Sequence, residues 1–130
     1  MLSLSLPGRV FLCTLPTDMR KGFDSLAWLV RQHLGQNPLS GDLFVFRSKR
    51  GDRVKLLYWD QDGLAIWYKR LEEGTFALPA ADGQRGQVGE HGLVLRPAEL
   101  AMLLDGVDLS SVQRQKRYQR PGRSDDAAAR

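Results

Sequence analysis

Hydrophobic and polar positions change rhythm along the chain, and each rhythm predicts a different element. Residues 9–15, Arg-Val-Phe-Leu-Cys-Thr-Leu, are a run of strand formers. Pro16 closes the run, because the residue before a proline is pushed towards extended backbone. After a polar stretch, apolar side chains recur at Phe23, Leu26, Ala27, Val30 and Leu34. That spacing is the one-sided stripe of an amphipathic helix over 22–34, widened by Leu29. Gly35 stands where a left-handed residue ends a helix, and Pro38 follows where the helix has stopped.

The middle third shifts to runs of β-branched and aromatic residues at 42–48, 53–59 and 64–69, separated by Lys49-Arg50-Gly51-Asp52 and Asp60-Gln61-Asp62-Gly63. This predicts an antiparallel meander. In its central strand Val54, Leu56 and Tyr58 share one face, while Arg53, Lys55, Leu57 and Trp59 share the other. A loop of four residues at 60–63 would set Trp59 opposite Leu64, Leu57 opposite Ile66 and Lys55 opposite Tyr68, although sequence does not fix the register. Residues 75–79 and 92–96 read as short strands, and 80–90, with Gly83, Gly86 and Gly89, as a loop. Pro97 suits the first turn of a helix, Glu99 its positive end, Leu100, Leu103 and Leu104 its apolar face, and Gly106 its cap. The expected fold is α+β: an antiparallel meander sheet, one amphipathic helix packed on a face, and a short C-terminal helix. A single domain over 1–109 and a basic, disordered tail over 110–130 follow, because almost nothing apolar remains after Leu109.

Composition narrows the class. A chain of 130 residues with 42% hydrophobic side chains suffices for one core without disulfide or metal. The single cysteine, Cys13, cannot form an internal disulfide and fits a reducing cytoplasm. The opening Met1 to Pro7 lacks the basic and long apolar regions of a signal peptide, and no apolar stretch is long enough to span a membrane. A cytoplasmic location is expected.

Charge is informative once divided. Residues 1–109 carry 13 basic and 13 acidic side chains, whereas 110–130 carry 6 and 2, so the formal +4 resides in the tail. Inside the neutral body, Arg47, Lys49, Arg50, Arg53 and Lys55 face only Asp52 in sequence. Two basic clusters point to a polyanion, against the plainer reading that cations solubilise turns and termini.

Catalytic chemistry is poorly represented. His33 and His91 lack another histidine or cysteine at metal-ligand spacing, so no metal site is expected. Cys13 reads as a small core residue, and Asp60-Gln61-Asp62-Gly63 as a turn lacking the remaining ligands of a calcium loop. The glycines of 83–89 lack the Lys-Ser/Thr of a phosphate loop, and Arg50-Gly51-Asp52 is better explained as a hairpin tip than as an adhesion signal. Neither an enzyme nor a cofactor is expected.

Asp18-Met-Arg-Lys-Gly-Phe-Asp-Ser-Leu26, the stretch Leu43 to Asp60, the stretch Asp62 to Glu72, Gly74-Thr-Phe76 and Leu100 to Asp108 occur in order. Together they closely resemble the small accessory protein, called TnpB or the second open reading frame, of the IS-sixty-six family of bacterial insertion sequences. The resemblance implies a role in transposition beside a separate transposase that carries the catalytic acidic residues. It supplies no catalytic residues. The stretch 80–91 is longer and more glycine-rich than that family's pattern, and the tail is only loosely comparable.

Two readings follow. In the first, the chain binds DNA through phosphate contacts, with Arg20 and Lys21 before the helix, Arg47, Lys49, Arg50, Arg53 and Lys55 at the hairpin, and Arg114, Lys116, Arg117 and Arg120 as a flexible arm. In the second, it docks on the transposase or a sister accessory protein without touching DNA. Trp59, Trp67, Tyr68 and Phe76 would then be interface anchors, unless they are simply core. Neither reading involves a membrane or a small-molecule substrate.

Overall fold

The computed structural model describes residues 8–79 and 86–105, with the backbone of Val107–Asp108 and Gln113–Arg114. The described elements run β1 (Val10–Cys13), α1 (Phe23–His33), β2 (Leu43–Arg47), β3 (Arg53–Asp60), β4 (Gly63–Arg70), β5 (Gln87–Val88), β6 (Gly92–Leu95) and α2 (Pro97–Asp105). The short strands β7 (Val107–Asp108) and β8 (Gln113–Arg114) pair antiparallel with each other. The rest of the expected tail, with Lys116, Arg117 and Arg120, lies outside the described residues, as does the Gly106 cap.

The first six strands form one sheet in the order β4-β3-β2-β1-β6-β5. Its α+β class and the β2-β3-β4 meander follow the sequence pattern. The expected cross-strand partners also hold: Lys55 faces Tyr68, Leu57 faces Ile66 and Trp59 faces Leu64. One join departs from pure antiparallel pairing, because α1 carries the chain back over the sheet and β2 lies parallel to β1. A helix between two neighbouring strands spans the distance that parallel pairing needs.

Both faces of the sheet are covered. Phe11, Phe44, Phe46 and Leu57 meet Leu26, Ala27, Leu29, Val30 and Leu34 of the α1 region in one buried cluster. On the opposite face Val10, Leu12, Val45, Val54 and Leu56 meet Leu100 and Leu103 of α2, with Leu71 and Phe76. The face of β3 that looked half charged is therefore an interior face. The Phe11 and Phe44 rings stack at 5.7 Å across the parallel pair, adding geometric preference to burial.

Helix ends follow their local chemistry. Gly35 has φ 61, the left-handed value that favours glycine, just beyond α1. At the start of α2 the Arg96 backbone N–H donates to Glu99 Oε1 at 3.0 Å, so Glu99 closes back on the helix start while itself buried.

Three further expectations fail. Phe23 lies on the helical stripe yet is half exposed, because it occupies the first helical position, ahead of the turns that bury Leu26, Ala27, Leu29 and Val30. Residues 75–79 form no strand. The Phe76 N–H donates to the Gly51 carbonyl at 2.8 Å and its own carbonyl accepts from Arg47, so these groups serve a turn instead of a ladder. Within the expected 80–90 loop, Gln87–Val88 pairs with β6. Phe44→Ala should destabilise the fold by about 3–5 kcal/mol, measured by denaturant unfolding, since it empties a fully buried ring site.

Candidate nucleic-acid interface

The turn between β2 and β3 is built to be rigid. The Ser48 N–H donates to the Arg53 carbonyl at 3.0 Å, and the Gly51 N–H to the Ser48 carbonyl at 3.0 Å. Ser48 Oγ also accepts from the N–H groups of Gly51 and Arg53 at 3.2 Å. Leu71 N–H donates to the Asp52 carbonyl at 2.7 Å, fastening the turn to the chain that leaves β4. Gly51 is required twice: its φ is 81, and a Cβ there would lie 2.2 Å from a guanidinium nitrogen of Arg47.

This framework separates the hairpin cations into two kinds. Lys49 and Arg50 project from the turn into solvent, and Arg53 is half-buried at its edge. Arg47 and Lys55 do not join them. Arg47 donates through Nε to the Phe76 carbonyl at 2.7 Å, and burial draws its pKa below the ordinary arginine value. Lys55 is buried, donates through Nζ to the Lys21 carbonyl at 2.7 Å, and stands 4.7 Å from the centre of the Tyr68 ring. Both side chains look like phosphate ligands in sequence, but a buried cation needs acceptors, and the fold supplies them.

The register adds two cations that the sequence reading omitted. Arg70 lies opposite Arg53 and Lys69 opposite Val54, so both sit at the same end of the hairpin as Lys49 and Arg50. Among the described residues Lys49, Arg50, Arg53 and Lys69 make no salt bridge, while Arg70 pairs with Glu72 at 3.2 Å in an exposed contact. Such contacts are weak and exchange readily for another anion. The signal for Lys69 and Arg70 was present in sequence, but only cross-strand pairing makes them neighbours of residues 49 and 50.

Before α1, Arg20 grips Asp18 through Nε and a terminal nitrogen at 2.7–3.1 Å. That exposed pair lowers the Asp18 carboxyl from 3.8 to about 2, chiefly through the Arg20 hydrogen bonds. Arg20 is thus partly neutralised, and Lys21 is half-buried. Arg114 is placed only as backbone in β8.

The aromatic anchors also divide. Phe76 is wholly buried and therefore core, while Trp67 is partly buried and packs against the α2-side core. Trp59 is partly buried, and Tyr68 is 48% exposed. Cys13 is buried as expected, and burial raises its thiol pKa, the reverse of an activated nucleophile. The expectation that the histidines stand alone does not hold: the rings of His33 and His91 lie 5.1 Å apart.

The family described as "IS66 Orf2 like protein" matches residues 8–114. Similarity extends to two proteins of Sinorhizobium fredii (strain NBRC 101917 / NGR234). One, described as uncharacterized protein y4hO, is 42% identical over 100 residues, covering 77% of this chain and 81% of the relative. The other, uncharacterized protein y4jC, is 38% identical over 113 residues, covering 87% and 90% respectively. No solved structure matches.

Two outcomes test this geometry. Gly51→Ala should destabilise the fold by about 1–3 kcal/mol in thermal or denaturant unfolding, because it adds backbone strain and displaces Arg47. By NMR the Asp18 carboxyl should titrate near pH 2, and Arg20→Gln should return it towards 3.8. Because the folded-state value is depressed, whatever stability the pair contributes is present above pH 3.8 and is lost as pH falls towards 2.

Proposed function

The chain belongs to the IS66 Orf2-like family, and from that premise we propose that it is a non-enzymatic accessory protein of transposition that holds DNA by its phosphates at the β2-β3-β4 end of the sheet. Membership supports the accessory role in transposition. The observation that carries the DNA reading is the gathering at one sheet end of Lys49 and Arg50, on a turn fixed by its own backbone hydrogen bonds, with Arg53 of β3 and Lys69 and Arg70 of β4. A backbone fixed in advance spares the turn its own ordering cost when its cations meet a phosphate backbone, leaving only that of the side chains. They read charge rather than base identity. Arg114, Lys116, Arg117 and Arg120 would lengthen the contact, and a cytoplasmic location would place the protein beside the element's DNA and its transposase. No helix among the described residues is long and apolar enough to cross a membrane.

The interaction reading has its own support. Among the described residues β4 pairs only with β3, so one side of an eight-residue strand bearing Tyr68 is open to strand addition by a transposase segment. Trp59 lies at the far end of the same hairpin. Pull-down of the transposase that persists after nuclease treatment would favour this reading over DNA bridging.

Fluorescent duplex titrated across a salt series distinguishes the two. Wild-type affinity should fall steeply with salt and vary little with sequence. Combining Lys49→Ala, Arg50→Ala and Arg53→Ala should weaken binding and reduce the log–log salt slope by about 3, roughly one per lost phosphate contact. Replacing Lys116, Arg117 and Arg120 by alanine measures the arm separately. Binding that ignores salt, or that survives the hairpin triple variant unchanged, would overturn the hairpin assignment.

A further inference from the structure

His33 ends α1 and His91 lies in the β5-β6 turn, 58 positions later in the chain. The fold brings their rings to 5.1 Å and adds the carboxylate of Glu90, so that one ligand atom from each of the three residues lies within 4.8 Å of the others. We propose that His33, Glu90 and His91 form a binding site for a divalent transition-metal ion of the zinc or cobalt type. Two imidazoles and one carboxylate are the donor set such ions prefer, and they leave further coordination positions for water.

Three observations make this more than proximity. First, His33 Nδ1 is buried without a hydrogen-bond partner. A buried polar nitrogen left unpaired is unfavourable, and ligation through that nitrogen would satisfy it. Second, the backbone holds the donors in place. The His91 N–H donates to the His33 carbonyl at 3.0 Å, and the His91 carbonyl accepts from the Thr14 N–H at 2.8 Å and the Thr14 hydroxyl at 3.1 Å. Third, the turn fits against the helix end only because residue 89 is glycine. Its φ is 62, and a Cβ there would lie 2.4 Å from the same His33 carbonyl. The backbones that carry the two histidines are thus positioned by main-chain contacts before any ion arrives, which lowers the ordering cost of binding.

The site has an open side. Glu90 is 81% exposed and His91 33% exposed at the side chain, so an ion can enter from solvent and the carboxylate can swing onto it. Glu90 Oε2 already stands 3.6 Å from His91 Nε2. An ion here would join the C-terminal end of α1 to the β5-β6 turn at the sheet edge opposite β4. It lies on different elements from the cationic hairpin end, so it stands or falls independently of DNA binding.

The test uses the full chain without a histidine tag, stripped of metal with chelator and titrated with Co2+ and then Zn2+. One equivalent of Co2+ should produce a visible d–d absorption that Zn2+ abolishes, and one Zn2+ per chain should raise the thermal midpoint. His91→Ala and His33→Ala should each weaken binding at least about tenfold, the lower end of what even indirect ligand support contributes. Glu90→Gln alters an exposed side chain and leaves the packing intact, so it reads the site even where a histidine variant fails to fold. It should weaken binding while keeping the metal-free thermal midpoint. Absence of a stoichiometric Co2+ spectrum would overturn the proposal, as would binding that Glu90→Gln and His91→Ala both leave unchanged.

Discussion

Burial of the central strands on both faces is the constraint from which the rest of the architecture follows. Residues 43–46 of β2 are apolar without alternation and all buried. A strand of that kind cannot leave either face to water, so each face needs a helical layer. α1 supplies one and α2 the other, and the chain between β4 and α2 fills in around Leu71 and Phe76. The polar chemistry is consequently displaced to the ends of strands and to the turns.

Lys55 shows how firmly that constraint acts. It occupies an interior position of β3, opposite Tyr68, where an apolar residue would be the simple choice. The fold accommodates the ammonium by aiming it at the Lys21 carbonyl and resting it on the Tyr68 ring. In doing so it secures the segment leading into α1 against the sheet. Arg47 performs the corresponding task at the other end of the meander connection, holding Phe76 and the chain after β4 to the β2-β3 turn. Two cations that look available to an external anion in sequence are instead internal fasteners, and the turn that Arg47 backs presents Lys49 and Arg50 outward. Inward-turned and outward-facing basic residues thus share nine positions of sequence, and only their acceptors tell them apart.

The cationic end of the hairpin and the histidine cluster lie on different parts of the sheet. The first depends on β3-β4 pairing, the second on the docking of the β5-β6 turn against the end of α1. Each uses a glycine in the left-handed region to let backbone approach a neighbour, Gly51 against Arg47 and Gly89 against the His33 carbonyl. Local backbone freedom is thus placed where long-range contacts must close.

Elements governed by near neighbours in the chain were legible in the sequence. The α1 stripe, its Gly35 terminus and the Pro97 start of α2 rest on periodicity and terminal residue types, whereas the β3-β4 partners followed only if the loop length was right, and the structure pairs Asp60 with Gly63 across a two-residue turn in place of the expected four-residue loop. Tertiary structure alone decided whatever depends on which distant groups meet. It set β2 parallel to β1, turned Arg47 and Lys55 inward, drew Phe76 into the core, and left Phe23 at the surface. It also joined Lys69 and Arg70 to the turn cations and brought His91 to His33. The physical reason is common to all of these. Periodicity records which face a side chain takes, but a buried polar group is defined by its partner, and that partner can lie anywhere along the chain.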